Sequence, residues 1–173
     1  MIELFIGSIF LSNILFTKYL GIRIDKKDNL YISLLTTIVT IITGIINYIT
    51  HNLLNSLNAI YLKNIIFILT ITIVSAIVVM IYKMISKNED DILPMVVSNS
   101  VILGVSLIIA NSGYNFMSSV VYILGVSIGY MLVMTFIYYL GLELDKRKVL
   151  KSFRGYPIML IVLGILTMIL ERL

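Results

Sequence analysis

Six stretches of about twenty mainly apolar residues follow one another along this chain, separated by short polar joints. They run roughly over 3–22, 30–50, 59–82, 92–110, 116–140 and 156–171, each the length a helix needs to cross a bilayer's hydrocarbon. The joints, Arg23–Asn29, His51–Asn58, Lys83–Asp91, Asn111–Asn115 and Gly141–Gly155, leave no room for a further domain. With 60% of its 173 residues hydrophobic, 13% charged and a mean hydropathy of +1.05, the chain lacks the polar surface to cover a soluble globule. The expectation is an all-α integral membrane protein, with residues 1–173 forming a single membrane domain. The first run is read as a retained span: Glu3 stands where a cleavable leader would carry basic residues, and no small-x-small site follows.

Charge sets the orientation. Lys18, Arg23, Lys26, Lys27, Lys83, Lys87, Lys146, Arg147, Lys148, Lys151 and Arg154 lie in or beside joints one, three and five, which is 11 of the 13 basic residues. Lys63 and Arg172 are the two on the other side. The positive-inside rule puts joints one, three and five in the cytoplasm and both termini outside, in a multi-pass protein of the cell inner or plasma membrane. The net charge of +4 is explained by this clustering beside apolar spans, so no nucleic-acid partner is expected; the bilayer itself is the partner of the basic flanks.

The halves, about 1–86 and 87–173, echo one another. Ser12-Asn13 returns as Ser98-Asn99, and Asn29-Leu30 as Asn115-Phe116, both at an offset of 86. Each half holds three spans, an odd number, so the two are expected to be inverted repeats. Spans one and four are the interrupted ones, by Ser12, Asn13, Thr17, Lys18 and Gly21 in the first and by Pro94, Ser98, Asn99, Ser100 and Gly104 in the fourth. Inverted repeats often place a polar pathway between such corresponding broken helices. Asn13, Asn99 and Ser98 are therefore candidates to line a polar passage. The structural alternatives are helix–helix hydrogen bonding for the asparagines and a bond to its own helix backbone for Ser98. Spans two, three and five are read as scaffold.

Chemistry beyond this is sparse. The chain has no cysteine and one histidine, His51, so no thiolate, disulfide or self-sufficient metal site is expected, and no catalytic group is visible. Arg23, Lys26 and Lys27 read as a topology anchor, and Lys18 as a side chain that snorkels to the interface. Gly125 and Gly129 in span five permit close approach of another helix. Glu89, Asp90 and Asp91 suit the dipole at the start of span four. Gly155 and Pro157 suit a turn entering a helix. Tyrosines near span ends, such as Tyr48, Tyr61, Tyr114, Tyr138 and Tyr139, read as interfacial anchors.

Four stretches in order carry a resemblance: Lys18-Tyr19-Leu20-Gly21, NAIYLKNIIF from Asn58 to Phe67, NSVILG from Asn99 to Gly104, and Phe153-Arg154-Gly155 followed by Pro157-Ile158. On these the chain resembles the Rnf/Nqr membrane-subunit family, the group that includes the Rnf complex A subunit and the E subunit of the Na+-translocating NADH:quinone reductase. The resemblance implies a membrane subunit of a redox-driven translocase, non-catalytic alone, whose electron transfer is coupled to Na+ or H+ movement. It implies partners among the other membrane and redox subunits, including an oppositely oriented homologue, with iron–sulfur and flavin carried by the complex. It gives Lys18, Gly21, Arg154 and Gly155 a structural or partner-contact role.

The resemblance also implies a [2Fe–2S] cluster between the paired subunits, held by two cysteines from each. Those positions are Arg23 and Ser100 here. An arginine stays cationic and cannot ligate iron, and a serine oxygen is a weak substitute for thiolate. No cofactor is therefore expected on this chain alone. Three settings stay open: a complex whose electrons take another route, a subunit that kept a structural or ion-path role without redox chemistry, and a repurposed pore or transporter subunit. Rival readings from other classes are a small transporter component, such as the substrate-binding membrane subunit of an uptake system, and a non-redox scaffold. The chain's three alanines and the lack of an A-x-x-x-A docking stretch in span one disfavour the transporter.

Overall fold

The computed structural model describes residues 2–9, 29–86, 92–146 and 156–170. Among the described residues every regular element is helical: α1 (Ile2–Ile9), α2 (Asn29–Ser56), a 3₁₀ turn (Ile60–Leu62), α3 (Lys63–Ser86), α4 (Leu93–Val97), α5 (Ser100–Ser112), α6 (Phe116–Lys146) and α7 (Tyr156–Leu170). Four described segments are long and apolar enough to cross a membrane: Leu30–Ser56, Ile60–Ser86, Leu93–Ser112 and Phe116–Glu143. They coincide with expected spans two to five, and the chain is an all-α, multi-pass membrane protein. Of expected span one the structure describes α1, and of span six α7. The acidic run Glu89–Asp91 lies outside the described residues.

α2 and α6 outrun their expected ends by the most. α2 continues through His51 to Ser56, and α6 through Glu143 to Lys146. Their last turns are polar, so apolar length predicts where the hydrocarbon ends and not where the helix does. What stops α2 is Asn58, in the left-handed region at φ 55°. Asparagine is the residue after glycine that tolerates this conformation at a helix end. The turn lets the Ala59 N–H donate to the Leu54 carbonyl (2.9 Å). α5 stops at Gly113 in the same conformation, φ 62°. α6 starts on Asn115, whose side chain accepts from the Ser118 N–H (2.9 Å), as an N-cap should.

α2 is the hub, packing against α6, α3 and α5. Its polarity is inside out. Ser33, Thr36, Thr37, Thr40, Thr43 and Asn47 are buried, while Tyr31, Leu34, Ile38, Ile42, Ile46 and Ile49 face outward. A membrane helix has nothing to gain by hiding aliphatic side chains from lipid, so small and polar residues take the interior, where they allow close packing and find partners. Two apolar clusters flank this hub. In one, Val101, Val105 and Ile109 of α5 lie with Tyr122, Ile123, Val126 and Tyr130 of α6. In the other, Ile32, Leu35 and Val39 of α2 lie with Ile71 and Val74 of α3 and Val96 of α4.

Glycines mark the closest crossings. A Cβ on Gly44 of α2 would lie 3.0 Å from Ile123 of α6. A Cβ on Gly125 would overlap Ser8 Oγ and sit 3.1 Å from the Phe5 carbonyl oxygen. Gly125 thus meets the close approach that its spacing with Gly129 permits, and the neighbour is α1.

Gly125→Ala is expected to push α1 off α6 and to cost about 1–3 kcal/mol, the usual range for overpacking. Gly7→Ala, on α1 itself but with no neighbour within 4 Å, is the matched control and is expected to be neutral. Unfolding of the purified variants by titration with a denaturing detergent measures the difference.

Candidate functional site at the helix break

The fourth span is broken in its middle. Pro94 occupies the first turn of α4, where its missing N–H matters least. One short helix later the chain leaves helical geometry: Ser98 has ψ 0° and Asn99 is extended, at φ −76° and ψ 108°. α5 then starts at Ser100. A break at this depth frees backbone groups that lipid cannot satisfy. The chain resolves it locally. The Ser98 N–H donates to the Pro94 carbonyl (3.1 Å) and the Asn99 N–H to the Val96 carbonyl (3.1 Å). Asn99 Oδ1 accepts from the Val101 N–H at 3.1 Å, capping α5.

The other end of the same amide reaches across the bundle. Asn99 Nδ2 donates to Tyr130 Oη of α6 (2.7 Å) and, more weakly, to Thr36 Oγ1 of α2 (3.4 Å). One buried side chain therefore closes a helix terminus and joins three helices. Helix–helix hydrogen bonding by Asn99 is present, and the same residue stands at one end of a buried polar seam.

That seam continues along α2. Asn47 Nδ2 donates to Ser106 Oγ of α5 (2.9 Å), which in turn donates to the Ile102 carbonyl (3.0 Å). Between the two asparagines, Thr40 Oγ1 donates to the Thr36 carbonyl (2.7 Å) and Thr43 Oγ1 to the Val39 carbonyl (2.6 Å). Thr36, Thr40, Thr43 and Asn47 recur at steps of four, three and four, which puts them on one stripe of the helix. Span two therefore carries a line of buried polar groups on the face it turns to the bundle. The signal was legible in that spacing. Tyr130 was missed for a different reason: most tyrosines sit near span ends, and this one lies mid-helix, 1% exposed.

Ser98 and Ser100 occupy a different surface. Both are exposed. They line a groove of about 220 Å³ together with Asn99 and with Ile68, Ile71 and Thr72 of α3. Ser100, at the first position of α5, thus points to the periphery of the bundle while its neighbour Asn99 points inward. Asn13, Lys18, Gly21, Arg23, Arg154 and Gly155 lie outside the described residues.

At the far end of the seam, Lys63 Nζ donates to Asn111 Oδ1 (2.9 Å), tying the start of α3 to the end of α5. Tyr48 of α2 meets Phe116 of α6 at the same end, ring centroids 5.7 Å apart. The joints after α2 and α5 therefore share one side of the bundle, and Lys83 and Lys146 lie toward the other.

Comparison with known proteins agrees with this architecture. Residues 1–172 match the family described as Rnf-Nqr subunit, membrane protein. The chain is 30% identical to the A subunit of the ion-translocating oxidoreductase complex of Escherichia fergusonii over 180 aligned positions, covering 95% of this chain and 91% of the relative. The protein of that name from Shigella boydii is 31% identical with the same coverage, and that from Escherichia coli 30%.

The two roles of Asn99 separate by mutation. Tyr130→Phe leaves the cap and removes a cross-helix bond, with an expected cost of about 0.6–2 kcal/mol. Asn99→Ala removes the cap as well, worth about 1 kcal/mol, so it is expected to be the more destabilising of the two. Detergent-titrated unfolding of both variants checks the order.

Proposed function

Because the chain belongs to the Rnf-Nqr family of membrane subunits, we propose that it is the membrane subunit of a redox-driven, ion-translocating electron-transport complex. The family match across residues 1–172, joined to the broken fourth span, carries this reading. In it, the chain is one membrane unit of two inverted halves that packs against an oppositely oriented homologue. Joints one, three and five face the cytoplasm and both termini face outside, in the cell inner or plasma membrane. Arg154 and Gly155, with Lys18 and Gly21, have a structural or partner-contact role.

The cluster of the wider family does not fit this chain. The donors at the break are hydroxyl and amide oxygens of Ser98, Asn99 and Ser100, and the sequence has no thiol. Iron–sulfur clusters are held by thiolates, with imidazole as the known substitute. Neutral serine and asparagine oxygens supply neither the charge nor the softness. Electron transfer is therefore assigned to other subunits, which carry flavin and iron–sulfur groups, and this chain contributes scaffold and ion path.

Purification through a tag on this chain, from its native membranes in mild detergent, is expected to bring down flavin and iron–sulfur subunits together with a second family member. A monodisperse chain retaining a small organic ligand would overturn the proposal in favour of transport. The chain purified alone is expected to hold no stoichiometric iron and to show no cluster absorption.

A further inference from the structure

The buried seam on α2 has an imbalance of hydrogen-bonding groups. Thr36, Thr40, Thr43 and Asn47 are each 1% exposed or less. The Thr40 and Thr43 hydroxyl hydrogens are engaged by backbone carbonyls, and one Asn47 amide hydrogen by Ser106, whose own hydroxyl hydrogen is engaged by Ile102. Most of what remains along the stripe is oxygen lone pairs. Asn47 Oδ1 is the plainest case: it is fully buried and accepts no hydrogen bond from any described residue. A buried amide oxygen without a donor calls for a water or a cation.

The stripe also has direction. The eleven steps of helix from Thr36 to Asn47 rise about 16 Å, roughly half the hydrocarbon thickness. One end is the helix break, where Asn99 meets Thr36 and Tyr130. The other is the Asn47–Ser106 pair, one turn of α2 before His51. α5 closes over both ends, through Asn99 and Ser106, seven residues apart on one face. Rows of mainly neutral oxygens, with no carboxylate among the described residues of this stripe, suit a partly dehydrated monovalent cation and disfavour an anion.

We propose that the Thr36–Thr40–Thr43–Asn47 stripe is a hydrated track that carries a small monovalent cation between the helix break and the side of the membrane where α2 ends. The track rests on the reading of this chain as part of an ion-translocating complex and specifies which face of which helix the ion follows. Sodium and hydronium present the same chemistry to such oxygens, so the experiment separates them.

The natural absence of cysteine makes the chain suited to thiol scanning. Thr43→Cys and Asn47→Cys on the stripe are compared with Ile42→Cys and Ile46→Cys, which are partly exposed on the outward face of the same helix. A membrane-impermeant methanethiosulfonate is applied, in native membranes, from the side that carries His51. Thiolate forms only where water reaches, so the stripe positions are expected to label at least about tenfold faster than the outward pair. Slower labelling of Thr43→Cys when sodium chloride replaces choline chloride at fixed pH assigns the track to Na+, and labelling indifferent to sodium assigns it to hydronium. Labelling of the stripe no faster than of the outward face would overturn the track. The scan needs no redox activity, so a failure to co-purify redox subunits sinks the underlying reading without being confused with it. A second variant, Thr43→Val, keeps the side chain's shape and removes its oxygen. It is expected to lower the ions moved per electron transferred several-fold in membrane vesicles, and an unchanged ratio would also overturn the track.

Discussion

A helix cannot be interrupted inside hydrocarbon unless the backbone groups it frees find partners nearby, and the rest of this bundle is arranged around one such interruption. Asn99 is the partner. Its carbonyl oxygen takes the Val101 N–H and its amide reaches Tyr130 and Thr36, so cap and tertiary contact are the same residue. Serine or threonine would cap as well, but a hydroxyl has a single hydrogen and a shorter reach. The break then fixes its neighbours. α2 must present a small polar residue at Thr36, and α6 must bring a phenol to mid-membrane. The bonds hold both helices against the start of α5.

This arrangement explains why α2, the most aliphatic-looking of hubs, is polar within. A soluble helix would turn Ile38, Ile42 and Ile46 toward the core, and here they face outward. The hydroxyls on the opposite face bond their own helix, which keeps them satisfied without forcing α2 away from α6. Gly44 then lets Ile123 lie directly on the helix. Small, self-satisfied polar residues and a glycine thus give close contact, and the apolar bulk that would drive packing in water is left for the bilayer.

Much of this was legible in the sequence, for reasons that differ by residue. Four spans follow from apolar length, a property lipid thickness sets directly. The break at Ser98-Asn99 was visible because a polar pair after a proline is costly at that depth unless the helix opens there and the pair finds partners. The ends of α2 and α6 were not visible, since helix continues into water where hydropathy falls silent, and the stop at Asn58 depends on a backbone conformation that composition does not encode. The polar stripe was hidden by its own chemistry: threonine is common in membrane helices, and only the spacing of Thr36, Thr40, Thr43 and Asn47 distinguishes a face from a scatter. Tyr130 is a tertiary fact, set by which helix lies opposite Asn99.

The bonds that resolve the break run through Asn99, Tyr130 and Thr36, and Ser100 stands beside them, exposed on the groove side of α5. A side chain at the first position of a helix makes little demand on the cap next to it. A substitution there changes what the groove presents and leaves the cap in place. The inward residue joins three helices, and the outward one lines the groove.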